Sequence, residues 1–393
     1  MEKIVAKKNS SLDNLIIGLS LILLIFHTFT FFQIYYRFII TCFLYACILF
    51  FALLRRDNAI NTKVLCSLAL LGIATILICC VAVIKEYSVK QMIGQYIPFF
   101  IWGSLYFIVG PLLTEEKRKR FIGIFLITIS ISVVATLLVV LVNNSAARLL
   151  AGSATDRERY IYYRKGVGGY GFVYGCVFLL FGLLFWGREL SAKSSKFLNA
   201  LLIILTCIMV IFASYTMAFL FILIIFFLWY MTTSKKKNVG ALLLVGLILF
   251  LFKVPILRLL QGFAVALDLS WIDKRLGQLI EAMTTGSISN LTRFELYMRS
   301  WESFVSNPLI GEGTIGGHSF LLDLMGQFGF VGVIFFFCAC KVIARIVKTI
   351  STQKKWIYTL FIIFMILDTV DTISCLPIVF FLLPMILSID GNN

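Results

Sequence analysis

Long apolar runs constrain this chain more than any other feature. They recur from end to end, and each run of about 16–23 residues can cross the hydrocarbon core of a bilayer as an α-helix. Of the 393 residues, 61% are hydrophobic and only 14% are charged, which is far from the composition of soluble domains. The sequence therefore predicts an all-α polytopic membrane protein that forms a single membrane-embedded domain over residues 1–393.

About twelve membrane spans fit this pattern, and short loops join most of them. The predicted spans are residues 15–32, 38–54, 64–84, 97–113, 121–142, 172–187, 197–213, 217–233, 239–257, 319–342, 356–372 and 374–389. Two longer polar segments interrupt the series, at about residues 143–171 and 258–318. A helical membrane domain with two large loops on one side is therefore the expected architecture.

Basic residues alternate with the spans and predict the orientation of the chain. The N-terminus carries Lys3, Lys7 and Lys8, and alternate loops are basic, with Arg55-Arg56-Lys63, Lys117-Arg118-Lys119-Arg120, Arg188-Lys193-Lys196, Lys235-Lys236-Lys237 and residues 341–355. Because basic loops stay in the cytoplasm, we expect both termini to be cytoplasmic and both long segments to be external. The net charge of +16 then mainly reflects the basic cytoplasmic loops. Nucleic-acid binding is excluded, since the cations are dispersed between spans.

Residues 290–332 mix charge, aromatic rings, turn residues and a histidine in one stretch. Thr292 and Glu295 have the spacing of a capping box, which predicts that a helix begins near Thr292. Asn307-Pro308 should end it, because the residue before a proline disfavours the α region. The 3.6-residue spacing predicts one apolar face, formed by Phe294, Tyr297, Trp301, Phe304 and Val305.

A glycine loop and a histidine follow this helix. Gly311, Gly313, Gly316 and Gly317 allow an irregular loop in which the backbone can approach a ligand closely. His318 stands where the chain turns apolar again, at the mouth of a predicted span. Upstream, residues 272–283 carry apolar side chains at helical spacing, which predicts an amphipathic helix on the membrane or against other spans.

The first long segment carries five cations on the expected outer side, namely Arg148, Arg157, Arg159, Arg164 and Lys165. Arg157 and Arg159 alternate with acidic residues, as in a solvated loop. Arg164 has no acidic neighbour and precedes Gly166, Gly168 and Gly171. These glycines nominally match a dinucleotide-binding fingerprint, but no strand precedes them. Helix packing, with Gly175 four residues after Gly171, explains them better.

External arginines and one external histidine suit a particular reaction type. A guanidinium binds phosphate oxygens in pairs and keeps its charge, and a histidine can act as a general base near neutral pH. These groups fit glycosyl transfer from a lipid-linked diphosphate to a hydroxyl, because the diphosphate is already a good leaving group. The sequence lacks nucleotide-loop, HExxH and Gly-x-Ser-x-Gly motifs, and its ten cysteines lie in apolar segments. No cofactor, metal or disulfide framework is therefore expected.

The sequence RFELYMRSWESFVSNPLIGEG, followed by GGHSFLLDLMGQFGFVG, resembles the signature of the O-antigen polymerase and O-antigen ligase family. In that family an arginine opens a helix, an Asn-Pro-Leu-x-Gly-x-Gly loop follows, and a histidine begins a late span. The resemblance also covers the twelve-span layout and both external loops. It implies a metal-independent glycosyltransferase with a GT-C-like fold in the bacterial cytoplasmic membrane, acting on undecaprenyl-diphosphate-linked oligosaccharides.

The resemblance also implies roles for individual residues. Arg293 and Arg164 match the arginines that bind the donor diphosphate, and Arg157 and Arg159 are further candidates for that contact. His318 matches the base that activates the acceptor hydroxyl. The residues expected to shape the loop are Asn307, Pro308, Gly311, Gly313 and Gly317.

Two spacings and one substitution bear on the type of transferase. Arg164 and Gly175 have the Arg-x10-Gly spacing associated with polymerases, whereas Arg299 does not have it with Gly311. Ser319 stands where the family commonly has asparagine. The favoured function is the polymerisation of oligosaccharide repeat units into O-antigen, capsule or exopolysaccharide, with a flippase and a chain-length regulator as partners.

Two alternatives stay open at this point. A ligase would transfer the finished glycan to a lipid or protein acceptor. A transporter of lipid-linked sugar is less favoured, because such proteins have internal repeats and intramembrane charges. Here no repeat is evident and few charges fall within spans, Lys253, Asp368 and Asp371 being the candidates. His27, in the middle of the first span, is expected to be a packed histidine.

Overall fold

The computed structural model of this chain describes residues 2–32, 37–55, 62–143, 146–150, 155–189, 193–213, 215–233, 253–266, 270–285, 291–317, 319–367 and 375–388. Within these ranges all regular secondary structure is helical. The all-α prediction is therefore confirmed for the described part of the chain. The apolar runs lie in helices because a helix satisfies its own backbone hydrogen bonds, as lipid requires.

The described residues form sixteen α-helices, which are numbered in chain order. The first half contains α1 (Glu2–Thr28), α2 (Arg37–Leu54), α3 (Thr62–Ile84), α4 (Val89–Val109), α5 (Glu115–Val142), α6 (Ala146–Leu149), α7 (Asp156–Arg164) and α8 (Tyr170–Glu189). The second half contains α9 (Lys193–Phe212), α10 (Thr216–Thr233), α11 (Lys253–Ala266), α12 (Ser270–Thr285), α13 (Leu291–Ser306), α14 (Phe320–Val347), α15 (Thr352–Leu367) and α16 (Leu383–Leu387). A π-helical segment, Pro377–Leu382, leads directly into α16.

Seven described helices are long and apolar enough to cross a membrane. The qualifying segments are Ser11–Thr28, Thr62–Ile84, Met92–Leu112, Glu115–Val142, Tyr170–Gly187, Ser195–Phe212 and Phe320–Val347. Four shorter apolar helices accompany them, at Ile39–Leu54, Phe221–Tyr230, Val254–Ala266 and Pro377–Leu387. The structure thus has the helices of a multi-pass membrane protein. Most of the predicted span 239–257 and part of 356–372 lie outside the described residues.

Three predicted boundaries need correction. Helix α4 begins at Val89, before the predicted start of its span at residue 97. The loop predicted at 143–171 contains the short helices α6 and α7. The loop predicted at 258–318 begins inside α11, which packs against the amphipathic helix α12. The prediction of a helix at 272–283 is confirmed by α12.

Helix α8 lies at the centre of the bundle, with 89% of its span buried. It packs against α9, α10, the π-helical segment and α16. Its glycines allow this closeness, since an added Cβ atom at Gly175 would lie only 2.8 Å from Ile378 Cδ1. The predicted packing role of Gly175 is therefore confirmed. His27 is buried as expected, with its ring centroid 5.2 Å from that of Trp102.

The hydrogen bonds between helices define two ends of the bundle. At the first, called the basic end, Arg55 forms an ion pair with Asp13 at 3.1 Å, and Lys117 donates to the Asn14 side chain at 2.8 Å. Arg118 also reaches this end, where it donates to the Ser388 hydroxyl at 3.2 Å. Lys63 at the beginning of α3 and Lys348 after α14 line one cavity at the same end.

The opposite end, called the loop end, holds the first long segment and the loop after α13. The Thr30 hydroxyl donates to the Gly166 carbonyl at 2.6 Å, and the Tyr215 hydroxyl donates to the Ala147 carbonyl at 2.6 Å. Lys85, just after α3, reaches the Gly311 carbonyl at this end. Among the described residues, basic side chains from several predicted loops thus lie at one end, and the first long segment and the loop after α13 lie at the other.

We expect Gly175→Leu to lower the stability of the bundle by about 1–3 kcal/mol, because overpacking forces neighbouring side chains to move. Gly18→Leu is the matched control, since an added Cβ atom there meets nothing within 4 Å. Thermal unfolding in detergent, followed by tryptophan fluorescence, measures both variants. Equal melting temperatures for the two variants would contradict the close packing of α8.

Candidate functional site

The candidate site is the loop between α13 and α14. Helix α13 ends at Ser306, as Asn307-Pro308 predicts, and the Gly311 amide donates to the Asn307 carbonyl at 2.7 Å. Gly311, Gly313 and Gly317 have φ angles of 70°, 107° and 77°, which L residues with a side chain rarely adopt. The predicted loop-shaping residues therefore form an irregular loop that requires glycine at these three positions.

A serine face of α13 holds the loop. The Ser303 hydroxyl donates to the Gly326 carbonyl at 2.8 Å and accepts from the amides of Gly313 and Thr314, each at 3.1 Å. The Ser300 hydroxyl accepts from the Gly316 amide at 2.8 Å. Both serines are almost fully buried. Two small polar side chains thus replace the hydrogen bonds that the loop backbone lost on leaving the helix.

Much of the predicted apolar face of α13 is exposed. Phe294, Trp301 and Val305 are 62%, 43% and 56% exposed, whereas the serine face is buried. The loop backbone lies close to the serine face, since an added Cβ atom at Gly316 would lie 2.1 Å from the Leu296 carbonyl oxygen. Of the apolar face, Phe304 packs against Phe330, with ring centroids 5.6 Å apart. The exposed rings suit the membrane–water interface.

Asp323, in the first turn of α14, fixes the backbone on both sides of position 318. Its Oδ1 atom accepts from the Ser300 hydroxyl at 2.7 Å and from the Gly317 amide at 3.1 Å. Its Oδ2 atom accepts from the Ser319 amide at 3.3 Å. Ser319 is the N-cap of α14, and an acidic residue in the first turn is favoured by the helix dipole. His318 itself lies outside the described residues.

A kink in α14 completes the loop. Gly329 has φ 59° and ψ −138°, and the adjacent Phe330 amide donates to the Pro308 carbonyl at 2.8 Å. An added Cβ atom at Gly329 would lie 2.3 Å from the Pro308 oxygen. The loop and α14 therefore touch backbone to backbone, and only glycine permits this distance.

Lys85 and Tyr87 support the loop from the end of α3, where the sequence predicted an ordinary external loop. The Lys85 ammonium donates to the Gly311 carbonyl and, at 3.4 Å, to the Gln327 carbonyl. Burial lowers the pKa of Lys85, and the nearby Glu312 carboxylate raises it. The Tyr87 hydroxyl lies where a side chain at Gly313 would be. No local sequence signal marks this contact, since Lys85 is one of two lysines in the predicted loop 85–96.

Helix α7 carries the arginines of the first long segment. It begins with a capping box between Thr155 and Glu158, whose hydrogen bonds lower the pKa of the Glu158 carboxyl. It ends at Arg164, and Gly166 follows with φ 74°. The Thr136 hydroxyl accepts from the Gly168 amide at 2.8 Å. Helix termination and close packing thus account for these glycines.

A cavity of about 480 Å³ lies between α7 and the end of α5. Its apolar wall is formed by Leu138, Val139 and Val142, and its polar residues are Asn143, Glu158, Tyr162 and Lys165. Asn143 donates to the Tyr162 hydroxyl at 2.8 Å, which holds the two helices together. The cavity can take a ligand with an apolar and a polar part.

The candidate arginines are distributed over two helices. Arg157 and Arg164 are exposed on α7, and Arg159 on the same helix is partly exposed. Position 293 lies on α13, seven residues before Ser300, and therefore within about 20° of the serine face. Helix α7 contacts the turn Thr30–Phe32, whereas α13 packs against α14. Both helices lie at the loop end, but each is anchored to a different part of the bundle.

Arg299 is exposed on α13, about 100° from Ser300. Glu295, four residues before it, and Glu302, three residues after it, have the helical spacing for ion pairs with Arg299. Neither pair forms, since the ion pairs of the described chain are at Arg55, Lys119 and Arg120. Exposed pairs of this kind contribute little, because holding two long side chains in one geometry costs entropy.

We expect Asp323→Asn to loosen the backbone around position 318. An amide has one oxygen, so either Ser319 or the Ser300–Gly317 pair loses its acceptor. A hydrogen bond to a charged group contributes about 1.5–3 kcal/mol, so local amide exchange should become on the order of ten- to a hundredfold faster. Hydrogen exchange with mass spectrometry, on peptides spanning 315–322, measures this. Glu302→Gln, at an exposed position of α13, is the control. Unchanged exchange in Asp323→Asn would refute the role of this carboxylate.

Comparison with known proteins identifies no family for this chain. No family model and no curated protein matches this chain.

Proposed function

We propose that this protein polymerises lipid-diphosphate-linked oligosaccharide repeat units into a surface polysaccharide. The reaction is glycosyl transfer at the outer face of the bacterial cytoplasmic membrane, in a membrane-embedded fold of the GT-C type. The loop end faces outward and the basic end faces the cytoplasm, because basic loops are retained there. Both termini are then cytoplasmic.

In the proposed reaction, the acceptor hydroxyl oxygen attacks the anomeric carbon of the donor sugar. The bond from that carbon to the diphosphate oxygen breaks, and the new glycosidic bond forms. His318 accepts the hydroxyl proton as general base. Arg164 and Arg293 stabilise the charge of the departing lipid diphosphate, and Arg157 and Arg159 contribute further positive charge. The donor supplies the free energy, so neither a nucleotide nor a metal is required.

The observation that best supports this proposal is the contact of one carboxylate with both neighbours of position 318. A general base must be held within hydrogen-bond reach of the proton that it removes. Asp323 binds the amides of Gly317 and Ser319, and Ser300 ties the same carboxylate to α13. These contacts fix the backbone that carries the proposed base.

The cavity under α7 supports the lipid-linked nature of the substrate. Its apolar wall on α5 continues into exposed side chains such as Leu138, Leu141 and Val142, which are 60%, 51% and 91% exposed. Lys165 and Tyr162 line its polar part, next to Arg164. An amphipathic anion can therefore reach the arginines of α7 from the membrane.

We expect His318→Ala to abolish polymer formation, because a general base contributes about 10²–10⁴ in rate. The assay uses purified protein and a lipid-linked repeat unit, and it separates the products on a gel. Ser306→Ala, on the same segment, is the control, since its exposed hydroxyl contacts only the Glu302 carbonyl of its own helix. A normal product ladder from His318→Ala would refute the assignment of the base. Transfer of preformed glycan to a separate acceptor, without ladder formation, would identify a ligase instead.

Arg293 and Arg299 should respond differently to substitution, although they share α13. Position 293 lies within about 20° of the serine face around the helix, whereas Arg299 is exposed beside that face. Arg293→Ala should lose activity by on the order of a hundredfold, as when a group that stabilises developing charge is removed. Arg299→Ala should keep most of its activity. Complementation of a deletion strain, with matched protein levels in the membrane, measures both. The reverse ranking would overturn the proposed placement of α13 beside the substrate.

A further inference from the structure

A second cavity, of about 410 Å³, lies at the basic end between the beginning of α3 and the end of α14. Its lining includes four cationic side chains, Lys63 from α3 and Lys341, Arg345 and Lys348 from α14. Within the described part of the chain, no acidic side chain lines it. The cavity is at the opposite end of these two helices from the glycine loop, so it is separate from the proposed catalytic site.

The cations of α14 lie on one face of the helix. Lys341, Arg345 and Lys348 are spaced by four and three residues, and like charges at this spacing repel each other. The helix dipole favours cations only in the last turn, which does not include Lys341. A basic end alone does not require that these three cations line one cavity, and an anion inside it would offset their mutual repulsion.

An apolar groove leads to these cations. The same face of α14 continues as Phe330, Ile334 and Phe337, which are 52%, 47% and 61% exposed. On α3, Leu70 lines the cavity and Ile73, one turn further, is 55% exposed. The groove changes from apolar to basic at Lys341, about 16 Å along the helix from Phe330. This order matches a molecule with a hydrocarbon tail and an anionic head.

We propose that this cavity binds the phosphate group of an anionic phospholipid, with an acyl chain lying along the groove between α3 and α14. The guanidinium of Arg345 suits two phosphate oxygens at once, and the lysines add charge around them. Basic pockets between membrane helices on the cytoplasmic side are suited to such headgroups. The apolar groove selects the lipid over a free phosphate ion, which would gain nothing from it.

Native mass spectrometry of the purified full-length protein tests this proposal, with phosphatidylglycerol and phosphatidylcholine as competing lipids. The wild-type protein should prefer phosphatidylglycerol. The combined variant Lys341→Gln, Arg345→Gln and Lys348→Gln should bind it at least about tenfold more weakly, since each cation near an anionic headgroup adds affinity. The control variant Lys3→Gln, Lys7→Gln and Lys8→Gln removes the same charge from α1 and should bind as the wild type does.

A second variant keeps every charge and fills the cavity. Ala344 lines it and is exposed to the groove, so Ala344→Trp should also weaken phosphatidylglycerol binding. This variant carries the test if the charge variant does not fold. Wild-type affinity in Ala344→Trp and in any folded charge variant would overturn the proposal. Stabilisation of the protein by inorganic phosphate, without preference for phosphatidylglycerol, would overturn the lipid as the source of the phosphate group.

Discussion

A backbone that leaves the helix beside a membrane must find new hydrogen-bond partners, and this requirement governs the loop end of the fold. The loop after α13 meets it with a few side chains that each serve several groups. Ser303 bonds to three backbone groups, and Asp323 bonds to two amides and to the Ser300 hydroxyl. Lys85 contributes a donor from another helix. Side chains thus replace, for much of the loop backbone, the hydrogen bonds that a helix would provide.

The same requirement explains which face of α13 packs. A helix covered with rings cannot approach a loop backbone closely enough to bond to it, whereas serine can. Gly316, Gly326 and Gly329 shorten the distances further, since an added Cβ atom at each would lie within 2.6 Å of a carbonyl oxygen. The aromatic face is then left at the surface of the bundle. At Gly175, too, the absence of a side chain lets α8 lie close to the π-helical segment.

Helices α3 and α14 run antiparallel and connect the two ends of the bundle. At the loop end they supply Lys85 and Asp323, and at the basic end they supply Lys63 and Arg345. The proposed catalytic loop and the proposed lipid site therefore depend on the same helix pair. A lipid bound at the basic end would hold together the two helices that position the loop at the other end.

The sequence by itself determined the helical membrane class, the alternation of basic and long segments, and the end of α13 at Asn307-Pro308. These features depend on composition, charge and local backbone preference, which are properties of short segments. The positions of the loop glycines were also predictable, because irregular backbone needs them. The residue roles implied by the family resemblance remain a proposal.

Only the tertiary structure decided which residues hold the loop. The contact of Lys85 with Gly311 joins residues 226 positions apart, and no local pattern encodes it. The apolar periodicity of α13 did not reveal that the serine face holds the loop, because hydrophobic spacing marks a face that avoids water without saying whether protein or membrane covers it. In the sequence, Asp323 is an ordinary acidic residue in the first turn of a helix. Only the fold places Ser300, Gly317 and Ser319 within hydrogen-bond distance of its two oxygens.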